Sequence, residues 1–130
     1  MDTFKLEILT PNGEIFNGEV LNVVLPGEEG EFGVLAGHAS VTTLLEAGVV
    51  DVEKEDKSVE SILINWGVAQ VDEEKVIILV EGAVAIRGEN ENEIADALEE
   101  AKKLISDIAD ANPAIASVSA KIESAAQGLL

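Results

Sequence analysis

The sequence predicts a β + α chain: an N-terminal body of short strands closed as a sandwich or barrel, then a C-terminal antiparallel two-helix hairpin. Three observations predict it. Ten of the eleven glycines and nearly all the Val-rich runs fall within residues 1–88, whereas residues 89–130 hold ten alanines and one glycine, Gly128. Valine and isoleucine suit a pleated, half-buried surface, and alanine suits a helix. Short apolar runs bounded by turn residues recur through the first segment, the pattern of a sandwich or barrel. Apolar residues return at spacings of three and four in the second, the pattern of a helix with one buried stripe. Residues 1–88 and 89–130 are therefore read as separate units. No helix-length period interrupts the strands, which disfavours a doubly wound α/β fold.

The elements follow in order. Phe4-Lys5-Leu6-Glu7-Ile8 alternates apolar and polar residues, as a strand with one buried face does. Pro11-Asn12-Gly13 is a turn, because proline fixes its own φ and Asn-Gly tolerates positive φ. Apolar runs follow at 20–25, 41–45, 49–52, 62–64, 68–71 and 76–80. Between them lie Pro26-Gly27-Glu28-Glu29-Gly30, the charged stretch 53–57, and Asp72-Glu73-Glu74. In the tail, Ile94, Leu98, Ala101, Ile105 and Ile108 form one stripe, with Asn92 as its N-cap and Glu93 and Asp96 in the first turn. Asn112-Pro113 ends this helix and starts the next, since proline suits the first helical position. Ile115, Val118, Ile122, Ala125 and Leu129 form the second stripe. Two stripes joined by a short connection make an antiparallel hairpin. Its seam mixes Ile with Ala, so each helix alone is marginal and the hairpin needs a docking surface.

Composition excludes several functions. The 130 residues carry 26 acidic and 8 basic side chains, a formal net charge of -18, with a single arginine. At roughly 150 residues per domain, one compact domain or a small domain with an appendage is expected. Such a surface repels nucleic-acid phosphates and anionic lipid headgroups. Yet 47% of the residues are hydrophobic, enough to bury a core despite the charge. Cysteine is absent, which removes disulfide and thiolate chemistry. No apolar run approaches the ~20 residues that span a bilayer. The opening MDTFKLEILT lacks a basic n-region, so no signal peptide is expected and membrane association is indirect. Phe4, Phe16, Phe32 and Trp66 are the whole aromatic set, too few for base-stacking platforms.

No constellation supports an enzyme. His38 is the only histidine, and no nucleophile-elbow pattern surrounds Ser40, Thr42 or Thr43. One histidine without cysteine serves zinc poorly. The clusters Glu28-Glu29-Gly30-Glu31 and Asp72-Glu73-Glu74 lack EF-hand spacing and fall where solvated turns are expected. Residues 27–33 contain G-x-x-G-x-x-G rather than a phosphate-loop pattern, and their three glutamates repel phosphate. No cofactor or metal is expected.

Several stretches carry a family resemblance. Glu19-Val20-Leu21-Asn22-Val23-Val24-Leu25-Pro26-Gly27, then Glu29-Gly30-Glu31-Phe32-Gly33-Val34-Leu35-Ala36-Gly37-His38-Ala39, resemble the epsilon subunit of F-type ATP synthases. Leu6-Glu7-Ile8-Leu9-Thr10-Pro11-Asn12-Gly13 matches the family's start, and Ala85-Ile86-Arg87-Gly88 its body-to-tail junction. The resemblance covers essentially the whole chain. It implies a β-sandwich of about ten strands followed by a helical hairpin. It further implies a non-catalytic central-stalk subunit that binds the gamma subunit, rests on the membrane rotor ring of c subunits, and helps couple proton flow to ATP synthesis. The implied location is peripheral, on the cytoplasmic face of a bacterial inner membrane or the stromal face of a plastid thylakoid. Glu28, Glu29, Glu31 and Phe32 match the family's ring-facing loop, and His38 its gamma- or ring-proximal segment. Gly30, Gly33 and Gly37 are equally explained by tight backbone turns.

The sequence departs from the family in places. Ala36 and Ser40 stand where prolines are familiar. Family members that bind ATP carry an Ile/Leu-Asp-x-x-Arg-Ala motif in the first helix and further arginines in the second. Here that segment reads Ile94-Ala95-Asp96-Ala97-Leu98-Glu99-Glu100-Ala101, and no arginine follows Arg87. Bidentate phosphate recognition is therefore lost, and ATP binding is not expected. The family's hairpin can also reach the catalytic alpha/beta head and inhibit hydrolysis through basic residues. Beyond Arg87 this tail has Lys102, Lys103 and Lys121 against nine acids, so inhibition is expected to be weak or absent. Two other classes compete: a nucleotide sensor whose hairpin closes over ATP, and a carrier domain displaying Lys54 or Lys57 on a hairpin tip.

Overall fold

The computed structural model describes residues 2–87, 90–108 and 115–129. Nine strands and two helices lie among them: β1 (Phe4–Thr10), β2 (Gly13–Gly27), β3 (Gly30–Leu35), β4 (Val41–Leu45), β5 (Gly48–Lys54), β6 (Val59–Ile64), β7 (Gly67–Val71), β8 (Lys75–Val80), β9 (Ala83–Ile86), α1 (Glu91–Ile108) and α2 (Ile115–Leu129). The strands form one continuous sheet folded into two facing layers. One layer runs β1-β8-β7-β4, with β1 and β8 parallel. The other runs β3-β2-β5-β6-β9. The 15-residue β2 serves both. Its first half pairs with β1 and its second half with β3 and β5, and the register shift between Val20 and Asn22 marks the crossing. A β-bulge of this kind bends the strand without ending the ladder.

Alternation dictates the inner faces. Phe4, Leu6 and Ile8 of β1 point inward and are buried, meeting Val23, Leu25, Val50, Val52, Ile62, Ile64, Ile78 and their neighbours in one core. β5 and β6 are buried on both faces. Val50, Ile62 and Ile64 face this core, while Val49 and Leu63 face the other way, into a second one. That second core is completed by Ile86 of β9, by Ile94 and Ala101 of α1, and by Ile122 and Ala126 of α2. The hairpin is thus docked on the outer face of the β5-β6-β9 layer, and the continuous run Ile62-Leu63-Ile64 is the sequence trace of burial on both faces.

Several expectations change. β3 and β9 fall outside the predicted apolar runs, and β2 begins at Gly13 instead of Val20. β3 is specified by its ladder with β2, from Asn22↔Leu35 to Gly27↔Gly30, and not by side-chain alternation. The N-cap of α1 is Asn90, not Asn92: its Oδ1 accepts from the Glu93 N–H at 3.0 Å, and its carbonyl accepts from Ile94 N–H. Asn92 lies inside the first turn. In α2, Ala126 is buried and Leu129 is 42% exposed, the reverse of the predicted stripe end. The turn at Asn112-Pro113 and the boundary at Gly88 and Glu89 lie outside the described residues, as do the side chains of Ile108, Ile115 and Val118.

Candidate functional site

Two surfaces stand out, at one end of the sandwich and on the bare face of its β1-β8-β7-β4 layer. The first is the acidic turn between β2 and β3. Gly30 adopts φ +124, a conformation closed to most side chains, and lets Glu28 and Glu29 project into solvent. Gly27 is packed so closely that an added Cβ would come 2.8 Å from both the Gly30 carbonyl oxygen and the Phe32 ring. The Glu28 N–H donates to the Leu44 carbonyl at 3.2 Å and the Glu46 N–H to the Pro26 carbonyl at 2.9 Å, tying the turn to the end of β4. Phe32 is half-buried against the main core, whereas Glu31 points to the opposite, helix-bearing face.

Glu28, Glu29, Glu31 and Phe32 therefore lie together, lining a shallow groove with Thr42, Thr43 and Leu44. His38 does not join them. It follows the far end of β3, about 20 Å of extended chain away at ~3.3 Å per residue. There the Gly37 N–H donates to the Glu73 carbonyl at 3.0 Å and Ser40 Oγ to Asp72 Oδ1 at 3.1 Å. His38 thus belongs with the second acidic turn, 72–74. Its Nδ1 lies 2.7 Å from the Ala39 carbonyl oxygen, a local contact that orients no nucleophile.

The second surface escapes a reading of the sequence. Leu9, Leu79, Val68 and Leu44 sit side by side in register across four strands, Leu9↔Leu79, Leu79↔Val68 and Val68↔Leu44. All four point away from the core. Leu79 is 45% exposed, Leu44 55%, and Trp66 beside them 55%. Leu9, Pro11, Trp66, Val68 and Leu79 line a hollow at one end of this row. The hairpin covers the opposite layer, so the row stays open. An exposed apolar row on a strongly acidic chain is a candidate surface for a protein partner.

Two of the cations are committed elsewhere, on Glu60. The single arginine, Arg87, donates to Glu60 at 2.5 Å and to the Ile15 carbonyl at 3.0 Å, and Lys54 lies 3.4 Å from the same glutamate. Glu60 is buried, and such a carboxylate requires partners of this kind. The groove between α1 and α2 is lined by Glu91, Ile94, Leu98, Glu123, Ala126 and Gln127. Two carboxylates and no cation make it a poor seat for a phosphate. Among the described residues no cluster of three or more His, Cys, Asp or Glu side chains is arranged to hold a metal, and no helix is long and apolar enough to cross a membrane.

Residues 3–86 match the model of the ATP synthase Delta/Epsilon chain beta-sandwich domain. The chain is 72% identical, over all 130 residues of each protein, to the ATP synthase epsilon chain of Sulfurimonas denitrificans. It is 51% identical to that of Helicobacter pylori over 95% of this chain and 99% of the relative. In structure it is similar to a chain of the Euglena gracilis mitochondrial ATP synthase, seen by cryo-EM with OSCP, F1 and c-ring, at a TM-score of 0.62 and 27% identity, covering 95% of this chain and 74% of that one. A chain of the Tetrahymena thermophila mitochondrial ATP synthase central stalk and c-ring shares the fold, at a TM-score of 0.55 and 12% identity over 82% and 97% of the two chains. The sandwich, the docked hairpin and near-full-length identity to these relatives place the chain in the family of ATP synthase epsilon chains.

Proposed function

We propose that the chain is a non-catalytic rotor subunit of the central stalk, which joins the gamma subunit to the membrane rotor ring and helps couple proton flow to ATP synthesis. The observation that carries this is the in-register apolar row Leu9-Leu79-Val68-Leu44 with Trp66, a ready-made face for a protein partner on a chain of net charge -18. Gamma is assigned to this face, and the basic loops of the ring to the acidic turn 28–31. Charge complementarity at an exposed turn gives orientation and partner choice more than affinity. The related Euglena chain comes from an assembly with F1 and c-ring, which supports both partners. Peripheral attachment on the cytoplasmic face of a bacterial inner membrane is part of this reading, and relatives in bacteria support the bacterial setting.

The tail is structural in this reading. It carries nine acids and three lysines beyond Arg87, so contact with an acidic segment of the catalytic head is opposed. The acidic groove between α1 and α2 argues against the nucleotide-sensor alternative. Lys54, one of the two lysines a carrier domain would use, is engaged by Glu60. Pull-down with the matching gamma subunit, followed by mass-based stoichiometry, tests the main claim: a tight one-to-one complex is expected, and no complex overturns it. Truncation after Gly88 in the assembled enzyme tests the tail, where a several-fold rise in ATP hydrolysis would sink the structural reading.

A further inference from the structure

The acidic turn already has a cation on it, and that cation belongs to the tail. Lys121 Nζ of α2 lies 2.9 Å from Glu31 Oε1, joining residues ninety positions apart. It ties the hairpin directly to the sandwich. Glu31 shares its turn with Glu28 and Glu29, neither of which has such a partner among the described residues. Among the described side chains of α2, Ile122 and Ala126 are buried, and Ala125 partly so. With one large side chain and two alanines holding residues 120–129, that end of the helix opens locally more readily than the strands beneath it.

We propose that docking of α2 and engagement of Glu31 by a basic partner group oppose one another through Lys121. This rests on the reading that the turn faces cationic partner loops. A basic group that takes Glu31 removes Lys121's partner and loosens α2. By reciprocity, a docked α2 weakens the turn's hold on that group by the same factor. The pair is exposed, 45% for Lys121 and 51% for Glu31, so the factor is bounded at about five-fold. The device is a bias on the tail, not a lock.

The test uses the full chain at fixed ionic strength and hydrogen exchange of the α2 amides. Lys121→Gln and Glu31→Gln should each speed exchange in residues 120–129 by up to about five-fold, with the double variant no faster than either. Additive effects, or none, overturn the pair as a hold on α2. Hexalysine peptide then serves as the basic probe. It should shift the amide signals of residues 28–31 and speed α2 exchange in the parent chain but not in Lys121→Gln. Shifted amides with unchanged α2 exchange overturn the competition while leaving the cation-accepting reading of the turn standing. Unshifted amides overturn that reading, and the competition with it.

Discussion

Trp66→Ala is the sharpest test of the apolar face. The indole is 55% exposed at the β6–β7 turn, beside Leu79 and Val68. A tryptophan buries up to ~250 Å² when fully covered, so about 140 Å² of this one remains for a partner to cover. At ~25 cal/mol per Å² that is worth about 3 kcal/mol, and alanine retains only a small part of it. The expected loss is about 2–3 kcal/mol of affinity for the gamma subunit, or ~30- to 150-fold in Kd. The packed remainder of the ring also supports the fold, so a stability loss of about 1–2 kcal/mol accompanies it. Calorimetric titration against gamma, well below the measured Tm, keeps the two effects apart. Leu79→Asp should act in the same direction by bringing a carboxylate into a dry contact. Val59→Ala is the control, since Val59 is 57% exposed but stands on another edge of the sandwich. If both face variants bind gamma within about three-fold of the parent, the face is not the interface.

Three further outcomes are expected. Ile122→Ala removes the largest buried side chain among the described residues of α2 and should cost about 2–4 kcal/mol of local stability, read as faster exchange across residues 120–129 while β1 and β8 keep their protection; equal loss in both regions would show that the two cores are one cooperative unit. Gly67→Ala should lower the urea midpoint by the equivalent of about 1–3 kcal/mol, because its Cβ would press on the Leu79 carbonyl oxygen and on Val80 Cγ1, and an unchanged midpoint refutes that packing. Asp56 titrates below the ordinary carboxylate range because Ser58 Oγ, and then the Ser58 N–H, donate to it at 2.5 and 2.9 Å. A depressed folded value means that its contribution is present above the unfolded value and is lost as pH falls through the folded one. In a proton-resolved titration, Ser58→Ala should return Asp56 towards the ordinary value.

What the sequence discloses depends on how locally each feature is specified. β1 is legible because Phe4, Leu6 and Ile8 alternate with polar residues along one strand. The hairpin is legible from its stripes, and its docking leaves a trace in Ile62-Leu63-Ile64, where alternation fails because both faces are covered. β3 is hidden because Gly30 and Gly33 carry no pattern and the backbone ladder with β2 does the specifying. The acidic turn is a contiguous stretch, so Glu28, Glu29, Glu31 and Phe32 emerge together. His38 is close in sequence but separated by the length of β3, since six extended residues carry the chain across the sandwich. The apolar face is the least legible. Leu9, Leu44, Val68 and Leu79 contribute one residue per strand, and only pairing register brings them into a row.

Charge distribution explains why the tail's hold is apolar at heart. Residues 1–84 carry 17 acids and 4 bases, net -13, and residues 85–130 carry 9 and 4, net -5, which together give -18. Docking therefore brings two negative bodies together, and their repulsion acts over the ~8–10 Å Debye length at cellular salt. One exposed ion pair, Lys121 with Glu31, contributes at most about 1 kcal/mol against it. What remains is the seam of Val49, Leu63 and Ile86 against Ile94, Ala101, Ile122 and Ala126. Its area sets whether the tail docks; the ion pair only tilts that balance. Salt acts on the two charge terms in opposite directions, relieving the diffuse repulsion while weakening the single contact. Because the repulsion sums over many carboxylates and the Lys121–Glu31 attraction over one pair, the apolar seam gains relative weight as ionic strength rises.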